Sequence, residues 1–175
     1  MSKSYNHKKW FLVQSLPLII YVALMFSCSS ISNGHKPLPD FEVKDLNGTL
    51  YSNDNLKGKV VVINLWATWC GPCRKEIPTL NKLVQKYEQD SEVLFLAITD
   101  DTPEKIKSYL SKNTFSYKQI AGADALFSDL HKGIINTIPT NIVVNKKGEI
   151  IYYSEMVPPN LVEVLSAEIE KARLN

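Results

Sequence analysis

Two cysteines lie three positions apart in the segment Trp69-Cys70-Gly71-Pro72-Cys73, between an apolar run and an amphipathic one. That is the place where a buried strand ends and a helix begins. The N-terminus of a helix carries partial positive charge and unpaired N–H groups, and both stabilise a thiolate. The pKa of a cysteine there falls from about 8.5 toward 7 or below. This spacing predicts a reactive dithiol whose two sulfurs lie on one helical turn.

The two sulfurs are expected to act in sequence during disulfide exchange. Cys70 should be exposed and attack, whereas Cys73, one turn into the helix, should be more buried and resolve the mixed disulfide. Pro72 is tolerated because the N–H groups of a first helical turn have no partner within the helix. A structural disulfide is the alternative. A zinc site would need a second pair of ligands, which the three cysteines and three scattered histidines do not supply, so neither a metal nor a cofactor is predicted.

Strands and helices alternate around this pair. Runs that are apolar on both faces are typical of central strands covered by helices, and they occur at residues 60–66, 93–99 and 138–144. Apolar side chains recur at helical spacing in the segments 73–87, 102–110, 124–132 and 161–172, and Gly133 is a stop signal for the third. We therefore predict an α/β fold with a central mixed, mostly parallel sheet flanked by helices.

Two turn signals predict strands that reverse direction. Asn47-Gly48 lies between residues 40–43 and 49–51, which predicts an N-terminal hairpin before the first central strand. A turn at residues 146–148 leads into a further strand at 149–154.

The first thirty residues have the pattern of an export signal. A basic start precedes an apolar run at residues 10–26, which ends at Ser27-Cys28. A cysteine at that place resembles a bacterial lipoprotein signal, which is cleaved before Cys28 and leaves a lipid on its sulfur. The alternative is an uncleaved anchor helix at the short limit for a bilayer span. We expect a signal peptide at 1–27, a tether at 28–38 and one domain at 39–175, held outside the cytoplasm at a membrane.

Composition excludes several classes of protein. The chain has 175 residues, of which 45% are hydrophobic and 22% charged, as in an ordinary globular protein with one domain. A net charge of +2 gives no electrostatic case for nucleic acid as a partner. Three cysteines are too few for a disulfide scaffold, and lipidation of Cys28 would leave one dithiol.

From about residue 39 to its end, the chain resembles the thioredoxin family. The motif Trp69-Cys70-Gly71-Pro72-Cys73 after a buried strand carries the resemblance, and Pro78 stands where the active-site helix of the family is kinked. The resemblance implies a redox-active disulfide between the two cysteines at the start of a long helix. Trp69 is expected to shield the sulfur, with Gly71 and Pro72 as supporting residues of the site.

A second segment, Ile138-Pro139-Thr140, resembles the cis-proline loop of the same family. That loop lies against the active-site disulfide, so the resemblance places Pro139 in the catalytic site. It also implies that the backbone of Ile138 is free to pair with a bound substrate strand. An ordinary proline at the start of a strand is the alternative.

Within the family, the chain is most similar to the TlpA/ResA-type branch of membrane-tethered, extracytoplasmic thiol–disulfide oxidoreductases. The export signal, the N-terminal hairpin, a helical insertion at residues 101–119 and Glu76, three positions after Cys73, carry this resemblance. It implies a location in the bacterial cell envelope, on the periplasmic side of a membrane. It also implies exported protein disulfides as substrates, apocytochrome c before haem attachment among them, and an integral membrane thiol reductant as electron donor.

One position departs from the thioredoxin pattern. Cytoplasmic thioredoxins have a buried Asp six residues before the first cysteine, where this chain has Asn64. An amide takes up no proton, so Asn64 is expected to form local hydrogen bonds and Glu76 to handle the proton, with a pKa raised by desolvation. The alternative for Glu76 is a solvated helix residue beside Arg74 and Lys75.

The predicted activity is reduction of disulfides, because Gly-Pro between the cysteines resembles reducing thioredoxins. A peroxidase of the related peroxiredoxin class is one alternative, although that class has a single peroxidatic cysteine and no CxxC. A non-enzymatic, anchored binding domain with an inert disulfide is the other. Trp66 is expected in the core, and His131 at the C-terminal end of a helix.

Overall fold

The computed structural model describes residues 34–131 and 137–174. The predicted signal peptide, Cys28, the first part of the tether and the stop signal at Gly133 lie outside these residues. No helix within the described ranges has the length and apolar character needed to cross a membrane.

Eight strands and five helices make up the described part of the chain. The strands are β1 (Lys36–Pro37), β2 (Glu42–Lys44), β3 (Leu50–Ser52), β4 (Val60–Leu65), β5 (Val93–Ile98), β6 (Lys118–Ile120), β7 (Thr140–Val144) and β8 (Glu149–Ser154). The helices are α1 (Asn53–Leu56), α2 (Gly71–Lys86), α3 (Pro103–Leu110), α4 (Asp124–Leu130) and α5 (Leu161–Leu174). The predicted hairpin is the separate pair β2–β3.

Six strands form one mixed sheet in the order β1-β8-β7-β4-β5-β6. The pairs β4–β5 and β5–β6 are parallel, whereas β7–β4, β8–β7 and β1–β8 are antiparallel. The expectation of a mixed sheet is confirmed, but parallel pairs are not the majority. The reason is the connection between strands: α2 and α3 carry the chain back across the sheet, whereas a tight turn with Gly148 at φ +82° reverses it between β7 and β8.

The central strand β4 is buried on both faces, as its apolar sequence predicts. Val60, Val62 and Trp66, just after the strand, belong to a core that includes side chains of α2, α3 and α5. The alternate residues Val61 and Ile63 belong to a second core with α1, α4 and the hairpin. Helices therefore lie on both sides of the strand that leads into the cysteine pair.

The folded domain begins before the predicted boundary at residue 39. Strand β1 pairs with β8, and the Leu38 N–H donates to the Gly148 carbonyl at 2.9 Å. Leu38 is 6% exposed and belongs to the second core. The prediction of a tether through residue 38 is thus corrected at its last residues. Pro37 concealed the strand in the sequence, but an edge strand tolerates proline because one side of it needs no partner.

The predicted insertion at 101–119 contains one helix, α3, and most of β6. Trp66 lies in the core as expected, with its ring edge-on to Tyr109 at 5.3 Å and to Phe115 at 5.2 Å. These contacts hold the insertion against the end of β4. Strand β6 was not predicted, because three residues that include Lys118 and Gln119 show no apolar run.

Candidate active site

The cysteine pair lies at the N-terminus of α2, as the sequence predicts. Cys70 is the N-cap residue, and Gly71 and Pro72 follow in the first turn. Cys70 and Cys73 form a disulfide with their Cα atoms 5.3 Å apart. The Cys73 N–H donates to Sγ of Cys70 at 3.1 Å. A helix-terminal N–H group therefore reaches the sulfur that would carry a thiolate.

Both sulfurs are buried in this disulfide-bonded state. Cys70 is 4% exposed and Cys73 is 1% exposed, so the expectation of an exposed Cys70 is wrong for the oxidised protein. The carbonyl oxygen of Ile138 lies 3.8 Å from Sγ of Cys70 and covers it from the neighbouring loop. The peptide bond between Ile138 and the buried Pro139 is cis, as the resemblance implies. Trp69, the expected shield, is 68% exposed and offers an apolar surface beside the site.

Glu76 is a buried carboxyl, not a solvated residue of the helix surface. It is 3% exposed and lies on the face of α2 that packs on the sheet. The Asn64 side-chain amide donates to Oε1 at 2.7 Å, and that of Asn141 donates to Oε2 at 3.2 Å. The two amides are also bonded to each other at 3.2 Å, since Asn64 and Asn141 face each other across β4 and β7. Asn64 is thus hydrogen-bonded, but its partners lie 12 and 77 positions away in the chain and not in its local sequence.

Burial raises the pKa of Glu76 from 4.5 to about 7. The hydrogen bonds from Asn64 and Asn141 act in the opposite direction, because both stabilise the ionised form, but desolvation outweighs them. A carboxyl with this pKa binds and releases a proton near neutral pH. This property suits a group that exchanges a proton with a nearby thiol.

Sequence reasoning missed two side chains near the cysteines. Asn141 was overlooked because its partner Glu76 lies 65 positions away in the chain. Asp101 was named only as the start of the insertion, yet its carboxylate binds Thr68, two residues before Cys70. Its place three residues after the end of β5, the neighbour of β4, is the signal that could have found it.

The other predicted residues have structural places. His131 ends α4, with Nδ1 3.0 Å from the Phe127 carbonyl, as expected for a residue at a helix end. Within the two described ranges, no group of three or more His, Cys, Asp or Glu side chains could hold a metal ion.

Comparison with known proteins assigns the family. The sequence profile of the AhpC/TSA family matches residues 35–153, which is more than half of the chain. The chain belongs to the AhpC/TSA family. This match covers the cysteine pair, the cis-proline loop and the Glu76 cluster, which consists of Glu76, Asn64 and Asn141.

Two proteins with sequences similar to this AhpC/TSA chain are named thiol–disulfide oxidoreductase ResA. ResA of Bacillus thuringiensis (strain Al Hakam) is 31% identical over 116 residues, which are 66% of this chain and 66% of the relative. The match thus spans just under two thirds of that relative. ResA of Bacillus subtilis (strain 168) is 25% identical over 140 residues, 80% of this chain and 76% of that one. These matches confirm the resemblance to ResA-type proteins.

The thioredoxin-like fold is confirmed by comparison with solved structures. The crystal structure of a thiol:disulfide interchange protein of the thioredoxin family from Chlorobium tepidum TLS superposes with a TM-score of 0.66. It is 25% identical, and the match covers 81% of this AhpC/TSA chain and 98% of the other chain.

Proposed function

We propose that this protein is a thiol–disulfide oxidoreductase that reduces disulfides of other proteins through Cys70 and Cys73. The observation that carries the proposal is the disulfide at the N-terminus of α2, one helical turn before a buried carboxyl that titrates near neutral pH. A disulfide with only a structural role does not require a buried carboxyl beside it, and burial of such a group costs free energy. The names of the relatives support the same activity.

The reaction consists of two exchanges that move two electrons to the substrate. The Cys70 thiolate attacks one sulfur of the substrate disulfide, so that a mixed disulfide forms and the other substrate sulfur leaves as a thiolate. The Cys73 thiolate then attacks Sγ of Cys70 and releases the second substrate thiolate. The substrate ends reduced and the protein ends with its Cys70–Cys73 disulfide. A thiol reductant must restore the dithiol before the next cycle.

Glu76 is the group proposed to take the proton from Cys73 before the second exchange. It lies three residues after Cys73 on the same helix, and side chains at this spacing are neighbours. Asn64 and Asn141 hold the two carboxyl oxygens in place. Asn64 stands where thioredoxins have a buried Asp. This replacement is consistent with the assignment, because Glu76 supplies the acid that Asn64 cannot.

Ile138, Pro139 and Trp69 are proposed to bind the substrate segment around its cysteine. The Ile138 carbonyl already lies beside Sγ of Cys70, so an extended segment that pairs with this backbone would bring its sulfur close to Cys70. The exposed ring of Trp69 adds an apolar contact next to it.

The proposed attack by Cys70 is tested by trapping the mixed disulfide. The Cys73→Ala variant lacks the resolving thiol, so incubation with a disulfide-containing protein should accumulate a covalent complex through Cys70. Peptide mass mapping of the complex identifies the cysteine that is linked. The Cys70→Ala variant is the matched control and should trap no complex. A link through Cys73, or no complex with either variant, would contradict the proposal.

The same preparation distinguishes the alternatives. A peroxidase would consume hydrogen peroxide in the presence of a thiol reductant at a rate that depends on one cysteine alone. A binding domain with an inert disulfide would show neither peroxide consumption nor a trapped complex. We expect reduction of protein disulfides that requires both Cys70 and Cys73.

The membrane location and the partners are proposed from the sequence. The basic start, the apolar run and Ser27-Cys28 support an export signal with a lipid on Cys28, or an uncleaved anchor in its place. In the cell envelope the substrates would be exported proteins, apocytochrome c among them, and the reductant an integral membrane thiol protein. The relatives named ResA support this branch of the family.

A further inference from the structure

The loop that carries Cys70 leaves the sheet after Trp66. The Trp66 N–H still donates to the Ile98 carbonyl at 3.2 Å, which continues the pairing of β4 with β5. The Cys70 N–H donates to the Ala67 carbonyl at 3.1 Å and so closes a tight turn. Between these bonds, Thr68 is held by a side chain instead of a strand. The position of Thr68 therefore affects where the turn places Cys70 at the start of α2.

Asp101 supplies that side chain. Its Oδ2 accepts a hydrogen bond from the Thr68 N–H at 2.7 Å and a second from the Thr68 hydroxyl at 2.9 Å. The residue is 4% exposed, so a carboxylate is buried where it binds the loop. Hydrogen bonds to an ionised acceptor are shorter and about twice as strong as neutral ones. The arrangement therefore favours a firmly held loop.

Asp101 is itself fixed by three neighbouring elements. Its N–H donates to the Thr99 hydroxyl at 3.1 Å at the end of β5, and its carbonyl accepts from the Gly122 N–H at 2.8 Å after β6. Lys105 of α3 donates to Oδ1 at 3.4 Å and offsets part of the charge. The carboxylate thus connects the active-site loop to the insertion as well as to the sheet.

We propose that Asp101 is a positioning residue for disulfide exchange, which holds Thr68 and thereby keeps Cys70 at the N-cap of α2. The inference rests on the proposed attack by Cys70. Without the carboxylate, the turn loses its central anchor, and Cys70 is less often within reach of the Cys73 N–H that stabilises its thiolate. A displacement of about 1 Å can slow a reaction on the order of a hundredfold. Because Trp66 and Cys70 keep their own backbone bonds, we expect a loss of about tenfold.

The experiment uses the reduced full-length protein and compares Asp101→Ala, Asp101→Asn and the wild type. The alkylation rate of Cys70 by iodoacetamide at neutral pH, followed by peptide mass mapping, reports the thiolate that the loop presents. Asp101→Ala should lower this rate about tenfold. It should also lower kcat for insulin reduction with dithiothreitol by a similar factor and leave KM within about twofold. Asp101→Asn should keep most of the wild-type alkylation rate and most of the wild-type kcat, because its amide oxygen still accepts a hydrogen bond from the Thr68 N–H.

Asp100→Ala is the matched control, because it removes the same charge from the exposed neighbouring position. It should match the wild type in alkylation and in turnover. Wild-type alkylation of Cys70 in Asp101→Ala, or equal losses in the Ala and Asn variants, would overturn the proposal.

A variant that does not fold leaves the proposal testable. If circular dichroism shows that Asp101→Ala is unfolded, Thr68→Val removes only the hydroxyl bond and keeps the N–H bond. It should lower the Cys70 alkylation rate by about two- to fivefold, as expected for one lost hydrogen bond, and an unchanged rate would overturn the proposal.

Alkylation of Cys70 needs no protein substrate. Failure of the wild type to reduce insulin would therefore count against the proposed function and not against the role of Asp101.

Discussion

Glu76 titrates near neutral pH because two opposing effects act on one carboxyl group. Burial between α2 and the sheet removes water from the carboxylate and raises its pKa, while the amides of Asn64 and Asn141 stabilise the charge and lower it. Desolvation is the larger effect, since two neutral donors replace only part of the lost hydration. The cost of this burial should be measurable as a dependence of stability on pH.

Glu76→Gln should remove a pH-dependent part of the stability. Between pH 4.5 and about 7, folded Glu76 keeps a proton that the unfolded chain has released. The contribution of Glu76 to the free energy of unfolding, taken as the wild type minus Glu76→Gln, should therefore fall as pH rises through this window, by on the order of 3 kcal/mol in total. Urea unfolding of the oxidised protein at a series of pH values measures this dependence.

Two comparisons make this test specific. Glu88→Gln changes an exposed carboxyl just after α2 and should keep the wild-type profile. Parallel profiles for Glu76→Gln and the wild type would contradict the raised pKa.

In the reduced protein, Glu76→Gln should also slow the second exchange about a hundredfold or less, because a thiol needs little help from a general base.

At the scale of elements, the direction of each strand follows from how it is connected. Helices α2 and α3 carry the chain between parallel neighbours, whereas the turn after β7 reverses it and makes β8 antiparallel. The antiparallel pairing of β7 with β4 places Asn141 opposite Asn64 and so assembles the Glu76 cluster. Strand β1 forms the edge of the sheet next to β8, and Leu38, which follows it, lies in the second core.

Leu38→Ala in the full chain tests whether the fold begins before residue 39. Loss of a buried leucine side chain costs about 2–5 kcal/mol, and a position near the sheet edge favours the lower end of this range. Urea unfolding should show the loss as a lower midpoint. Lys36→Ala, an exposed position in β1, is the control and should change stability by less than about 0.5 kcal/mol. Equal stability of the two variants would restore the boundary at residue 39.

At the scale of the whole molecule, the proposed attachment to a membrane involves residues outside the described structure. If Cys28 is lipidated, intact-mass analysis of the mature protein should find a chain that begins at Cys28 and carries the mass of the lipid. The Cys28→Ala variant should lose the lipid, and cell fractionation should show less of it with the membranes. A chain that still begins with Met1 and has an unmodified Cys28 would indicate the uncleaved anchor instead.

The cysteine pair and its position at the start of a helix could be predicted from the sequence alone. A helix N-terminus stabilises a thiolate through its own first N–H groups, so Cys70 and Cys73 could be assigned from a few neighbouring residues. The strands at 60–66 and 93–99 were equally readable, because burial on both faces leaves a continuous apolar run. These features depend on short stretches of chain.

The surroundings of the pair could not be predicted in this way. Asn64 and Glu76 are 12 positions apart, and Asn141 lies 65 positions beyond Glu76, so no local pattern shows that one carboxyl meets two amides. Asp101 reaches Thr68 across 33 positions for the same reason. Burial of Cys70 likewise depends on Ile138 in a distant loop. Contacts of this kind arise when strands pair and helices pack on them, and that packing sets the desolvation and hydrogen bonds that tune the site.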